Sequence, residues 1–320
     1  SSNCSKRREY RLPSKPETWT IDELRAASLG RVALIATHAV RAMVRDLRFQ
    51  EISSFELLNK PLDTLIVVGG GSLMDRAKYW RWSNAPGTRL IAIPSIWGSG
   101  AEASPFAVLD GAEGKQIHID ETLLPDVRCI WPELAQTVPA ERAREACGDV
   151  WAHALEGFLS PLADEILQQE LAGIIQQMLD LPLAPDARWF EPSAQACAAQ
   201  ARSSVGLVHG IAHVLEGPLR DAFPKSRWGH AKLCSVFLWP VMAFNREHGD
   251  KLSRLCAQYD IDENAVFAIL RDLHSAPAYD EALPMLEQHW MDICRDPCSR
   301  TNSALVRPNS KAFFVSRAYR

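Results

Sequence analysis

Two pairs of residues able to do chemistry stand four apart in the second half of the chain, Asp149 with His153 and His209 with His213, and Gly229-His230 follows. A step of four puts both members of a pair on one face of a helix. A carboxylate with three imidazoles offers one hard oxygen and three borderline nitrogens. That donor set suits Fe(II) or Zn(II) better than Mg(II) or Ca(II). One histidine on an apolar helix is usually a packed or surface residue, and it is the joint occurrence that points to a metal centre.

A different chemistry is suggested upstream, where Val67-Val68-Gly69-Gly70-Gly71-Ser72-Leu73-Met74-Asp75 reads as a buried strand, three glycines and the start of a helix. Glycines let backbone amides approach a ligand, and a helix N-terminus presents free N–H groups to an anion. The string fits a pyrophosphate cradle and fits a tight strand-to-helix turn equally well. It has neither the GxGxxG spacing of the common dinucleotide fingerprint nor the GK[ST] of a nucleotide-triphosphate loop. A second strand end, Pro94-Ser95-Ile96-Trp97-Gly98-Ser99-Gly100, would meet the first at the carboxyl edge of a parallel sheet, where such folds bind ligands.

The elements that must hold these groups change character along the chain. Short β-branched runs at residues 32–37, 64–68, 90–93 and 107–109 read as strands, with helical spacing at 40–49 and 54–58 between the first two. Strand and helix in alternation imply a mainly parallel sheet. From Pro139 the pattern turns to amphipathic windows at 140–159, 163–178, 193–215, 231–245, 263–273 and 279–295, two of which Pro240 and Pro284 should kink or split. The expected organisation is an α/β dinucleotide-binding domain over residues 1–135 and an all-helical metal-binding domain over 136–320, joined near residues 131–139. No internal repeat or low-complexity tract interrupts it.

Composition narrows the partners. With 35 basic and 39 acidic side chains among 320 residues the formal charge is −4, so there is no global positive field for nucleic acid or an anionic membrane. Eight cysteines, Cys4 among them, show no zinc-ribbon or thioredoxin spacing, and reduced thiols are the expectation for a chain with a core this large. Residues 1–8 are polar and basic, and no apolar run reaches the ~18 residues that span a bilayer. A cytoplasmic protein acting on small molecules is expected.

In order along the sequence, the chain resembles the iron-containing (group III) alcohol dehydrogenase family. Gly69-Gly70-Gly71-Ser72 with Asp75 and Lys78 is similar to that family's GGGSxxDxAK loop, and Pro94 to Glu102 with Pro105-Phe106-Ala107-Val108 to its PTTxGTGSE…PFAV segment. Leu124-Pro125-Asp126 with Pro132-Glu133-Leu134 matches LPDV…DPEL. Asp149…His153-Ala154-Leu155-Glu156 resembles DALTHAIE, Gly206-Leu207-Val208-His209…Ala212-His213 resembles GLVHxxAH, and Asp296-Pro297-Cys298 with Thr301-Asn302 resembles DPCxxTNP. Ile96 and Trp97 depart from the pattern, removing a hydroxyl and crowding the cofactor side.

The resemblance implies a dehydroquinate synthase-like, iron-type alcohol dehydrogenase fold with one divalent metal, Fe(II) or Zn(II), held by Asp149, His153, His209 and His230. His213 would be the catalytic proton relay. Gly69, Gly70, Gly71, Ser72, Asp75, Ser95, Ile96, Ser99, Lys115 and His38 would bind NAD or NADP, and the substrate would be a small aldehyde or alcohol. Dimers are expected by resemblance. The alternatives are a metal-dependent sugar-phosphate cyclase of the dehydroquinate synthase type, which the PFAV and DPC segments oppose, and a non-catalytic nucleotide-binding relative.

Two finer expectations follow from individual residues. Thr37 is followed by His38 and not by a carboxylate, and Arg41 is near, so NADP(H) should be accepted at least as well as NAD(H). Arg220, Lys225 and Arg227 lie between the proposed metal-site histidines and could clamp an anionic end of the substrate, a carboxylate, phosphonate or sulfonate.

Overall fold

The computed structural model describes residues 15–58, 61–111 and 114–320. Cys4 and the polar stretch at residues 1–8 lie outside them. Seven strands, β1 (Glu17–Thr20), β2 (Val32–Ala36), β3 (Thr64–Gly69), β4 (Arg89–Pro94), β5 (Phe106–Gly111), β6 (Gly114–Ile119) and β7 (Val127–Ile130), precede a run of helices. Five of them make one parallel sheet in the order β1-β7-β4-β3-β2. β3 is buried along its whole length because both faces of the sheet are covered, which is why it reads as continuous Val, Ile and Leu instead of alternating. Ile66 and Val68 face a cluster with Leu24, Val40 and Val44. Leu65 and Val67 face Met74, Ala77 and Phe55 on the other side.

Several sequence expectations change here. Residues 107–109 belong to a strand outside the parallel sheet: β5 pairs antiparallel with β6 as a separate hairpin. The neighbouring strands β1 and β7 were too short and mixed in polarity to be recognised. The expected helix at 40–49 is only α2 (Arg41–Val44) flanked by single 3₁₀ turns, and 54–58 is one 3₁₀ turn. Before α2 comes α1 (Ile21–Ala26), started by a Thr20/Glu23 capping box, and after it α3 (Gly71–Asn84) links β3 to β4.

The helical part consists of α4 (Ala140–Leu159), α5 (Glu165–Leu179), α6 (Phe190–Gln200), α7 (Leu207–Ala222), α8 (His230–Glu247), α9 (Lys251–Gln258), α10 (Glu263–Leu273), α11 (Ala276–Arg295), α12 (Pro297–Arg300) and α13 (Lys311–Val315). Every residue of α4 from Ala146 to Leu159 is buried, because α5, α6 and α8 surround it. Pro240 and Pro284 do not split their helices: α8 and α11 run through them. The window 193–215 is not one helix but α6 and α7, separated by a turn with Ser204 at φ +77°. The cause is tertiary, since α7 begins where Glu156 Oε1 accepts from Val208 N at 2.6 Å and Asn302 Oδ1 accepts from Leu207 N at 3.1 Å. No helix of the described residues is long and apolar enough to cross a membrane.

Candidate metal and cofactor site

At the carboxyl edge of the sheet the two glycine loops touch. None of Gly69, Gly70 and Gly71 has a positive φ, so the glycines are required by close approach alone. A Cβ on Gly71 would stand 2.5 Å from Ser99 Oγ, and one on Gly70 would stand 3.2 Å from Ile96 Cγ2. The second loop does need glycine backbone, with Gly98 at φ +113° and Gly100 at φ +58°. It passes over α4: a Cβ on Gly98 would lie 3.2 Å from Asp149 Oδ2, and the Gly98 amide donates to Ser193 Oγ at 2.9 Å. Trp97 does not crowd the cofactor side. It is buried in the helical core, donates from Nε1 to Ala143 O at 3.2 Å, and packs edge-on against Phe190.

Ser72 is exposed in the first turn of α3, Ser95 is buried with its amide bonded to Gly69 O at 3.0 Å, and Ser99 is half-buried. Asp75 and Lys115 have protein partners. Asp75 accepts from Val108 N at 3.2 Å and pairs with Lys78, which ties α3 to the hairpin. Lys115 on β6 reaches Glu216 on α7 at 3.0 Å, so the hairpin bridges the sheet and the helical part. His38 is exposed just beyond β2. Beside β2, residue 51 bridges to Leu34 and brings Glu51 Oε1 to 2.8 Å from Arg41 Nε.

The histidines converge. α4, α7 and α8 bring Asp149 Oδ1 to 3.5 Å from His153 Nδ1, 3.8 Å from His209 Nε2 and 3.7 Å from His230 Nε2. Asp149 Oδ1, His153 Nδ1 and His209 Nε2 are buried and have no hydrogen-bond partner. Buried polar atoms are rarely left so, and three of them around one space are what a cation would satisfy. Burial, and then the neighbouring His153 and His213, hold His209 well below the ordinary imidazole range. Burial lowers His230 as well, against the opposing charge of Asp149. Both rings are therefore neutral and able to donate to a metal.

Asp149, His209, His230 and Cys234 form a set of four donors all within 4.8 Å of one another. His153 lies beside this set, its ring 4.5 Å from that of His209. His213 stands one turn beyond His209, its ring 5.9 Å from that of His230, with Nδ1 3.4 Å from Asp296 Oδ2. Burial alone would raise Asp296, but the hydrogen bond and charge of His213 outweigh it and leave the carboxyl below its usual value.

Four residues here carried no assigned role in the sequence reading. Glu156 Oε2 lies 2.7 Å from His209 Nδ1, so that Nε2 is left as the lone-pair nitrogen facing Asp149. Burial, the first of its influences, pushes the Glu156 carboxyl up to about 7. Asp296 fixes His213, Asn302 caps α7, and Cys234 enters the donor set. Glu156, Asp296 and Asn302 sat in the DALTHAIE-like and DPCxxTNP-like segments, and that was their only signal. Arg220, Lys225 and Arg227 are exposed on the stretch from the end of α7 to α8, with Arg227 at φ +50°.

Residues 52–131 match the family model for iron-containing alcohol dehydrogenase. The 1-propanol dehydrogenase of Salmonella typhimurium is 33% identical over 226 residues, 64% of this chain and 59% of that protein. This match, this relative and the solved structures below all support the iron-containing alcohol dehydrogenase family. The chain's match spans about three fifths of the length of that first relative. The bifunctional aldehyde-alcohol dehydrogenase of Escherichia coli K12 is 29% identical over 246 residues, 64% of this chain and 27% of that protein. Among iron-type alcohol dehydrogenase folds, the structure from Thermococcus thioreducens superposes with a TM-score of 0.74 at 19% identity, covering 95% of this chain and 98% of the other. The sulfoacetaldehyde reductase of Bifidobacterium kashiwanohense, solved with NAD+, gives a TM-score of 0.77 at 18% identity, covering 96% and 98%. The family model ends before α4, so the donor geometry of the helical part stands on the structure itself.

Proposed function

We propose that the chain is a metal-dependent, NAD(P)-linked alcohol dehydrogenase or aldehyde reductase, with residues 1–135 binding the nicotinamide cofactor and residues 136–320 the metal. The observation that carries this is the set of unpartnered buried donors on α4 and α7, facing His230 on α8 and lying beneath the Gly98 loop of the α/β part. A bound Fe(II) or Zn(II) would polarise a carbonyl and stabilise alkoxide charge, while the cofactor would carry the hydride.

Within that reading Asp149, His153, His209 and His230 hold the ion. Glu156 keeps His209 in the ligating tautomer. Asp296 accepts from His213 Nδ1, which leaves Nε2 as the atom that exchanges a proton with the substrate oxygen. Gly69, Gly70, Gly71, Ser72, Ser95, Ile96 and Ser99 form the cofactor face at the sheet edge, with His38 at the far end. Asp75 and Lys115 act there through the hairpin they hold. The Arg41–Glu51 pair offsets the charge that would favour a 2′-phosphate, so NADH and NADPH should be used at similar efficiency.

The test is elemental analysis together with NADH and NADPH oxidation over an aldehyde panel. One metal per chain and turnover are expected in the native protein, and neither in Asp149→Ala or His209→Ala. Stoichiometric metal in both variants would remove the assignment. The sharper form of the reading is an anionic aldehyde: Arg227→Ala should then cost one charge-assisted contact, about 1.5–3 kcal/mol in kcat/KM, and leave a neutral aldehyde nearly unaffected. Equal losses on both substrates would discard the anionic group.

A further inference from the structure

The donor cluster contains a sulfur. Cys234 stands one turn after His230 on α8, fully buried, with Sγ 3.6 Å from His230 Nε2. A tetrahedral zinc with Zn–N of about 2.05 Å and Zn–S of about 2.3 Å separates those two ligand atoms by about 3.6 Å. The observed spacing, at which thiol and imidazole hydrogen-bond to each other in the metal-free protein, matches that of two ligands on one ion. The partners of the sulfur make the same point independently. Asp149 and His209 are each 3% exposed, and Asp149 Oδ1 and His209 Nε2 have no hydrogen bond, although both belong to the set of donors within 4.8 Å that includes Cys234 Sγ.

The remaining cysteines give the contrast. Cys129, Cys147 and Cys256 are buried in apolar packing, Cys197 is buried and accepts from Gln200 Nε2, and among the described residues only Cys234 and Cys298 fall within a group of donors. Cys298 lies with His213 and Asp296, where Asp296 already caps α12 by accepting from the Cys298 amide at 2.8 Å. It is the natural control for a thiol near the site that has no place on the ion.

Resting on the metal-centre reading above, we infer that Cys234 is a metal ligand, bonding the ion through Sγ together with Asp149, His209 and His230. The Sγ–metal bond forms as the thiol proton leaves to solvent, and no oxidation is involved. With Cys234 as the fourth ligand of a tetrahedral shell, His153 stands beside the ion and not on it. A thiolate is a soft donor, so a shell that contains it favours zinc over iron(II) or manganese(II).

Zinc X-ray absorption on the zinc-loaded full chain tests this. One zinc per chain is expected with a sulfur neighbour at about 2.3 Å beside nitrogen and oxygen neighbours at about 2.0–2.1 Å. The sulfur neighbour should vanish in Cys234→Ala and in the near-isosteric Cys234→Ser, and persist in Cys298→Ala. In competition with manganese(II), Cys234→Ser should lose about tenfold or more of the preference for zinc. Stoichiometric zinc with only nitrogen and oxygen neighbours, or a sulfur neighbour that survives Cys234→Ala, would overturn the inference and leave the metal centre standing. Native protein that binds no zinc would overturn both.

Discussion

The glycine edge of the sheet and the histidine centre were equally visible as motifs, yet the fold treats them differently. At the edge, missing side chains let backbone and neighbours close up: Gly71 presses on Ser99, Gly69 on Thr37 and Leu73, and Asp75 and Lys115 have partners in the hairpin and α7. In the centre, polar atoms are brought together and left unpartnered. Loss of packing at the edge therefore costs fold, whereas loss of a donor at the centre costs ligand and little else. A cofactor cradle resembles an ordinary tight turn in the free protein, because backbone amides at a helix start are normally open to solvent. A metal centre cannot be disguised in that way.

That contrast can be sharpened first with Glu156→Gln. The variant keeps the size of the side chain but weakens its hold on His209 Nδ1, and metal affinity should fall by about 10–100-fold, read by competition with a chelating dye, with the melting temperature of the metal-free protein little changed. A large loss of metal-free stability with unchanged affinity would mean that Glu156 serves only to cap α7. Next, Gly71→Ala places a Cβ against Ser99 and should cost about 1–3 kcal/mol in denaturant unfolding while metal stoichiometry is retained. An unperturbed unfolding midpoint would show that the loops have room to part and that the edge is held less tightly than its contacts indicate.

The smallest expected effect is an absence of acid sensitivity. Imidazoles titrating near the ordinary value of about 6.5 would each lose about tenfold in metal affinity per pH unit below it. Burial lowers His209, and pushes His230 down to about 3, so the neutral rings persist on the acid side and the onset of loss moves to lower pH, not higher. Metal affinity measured from pH 7 to about 5 should change less than those two imidazoles would otherwise dictate. A tenfold fall over each pH unit from about 6.5 would show the rings to be hydrated and the centre open.

The sequence by itself determined the α/β-then-helical order and the residues bearing chemistry, because those depend on local periodicity: the continuous apolar β3, the glycines where a strand meets a helix, and carboxylate and imidazole one helical turn apart. It also carried the family resemblance, through ordered segments from Gly69 to Asn302. Strands β1 and β7, of four residues each, gave too short a period to read, and the run at 107–109 was drawn into the sheet because pairing partners are not written in a strand's own residues. The break between α6 and α7 was decided by Glu156 and Asn302, which lie 52 and 95 positions away from the amides they cap. The Arg41–Glu51 pair and the burial of Trp97 were likewise tertiary outcomes. So was the presence of Cys234 among the donors, for helical spacing set it one turn from His230 but only the packing of α4, α7 and α8 could bring Asp149 and His209 to the same point.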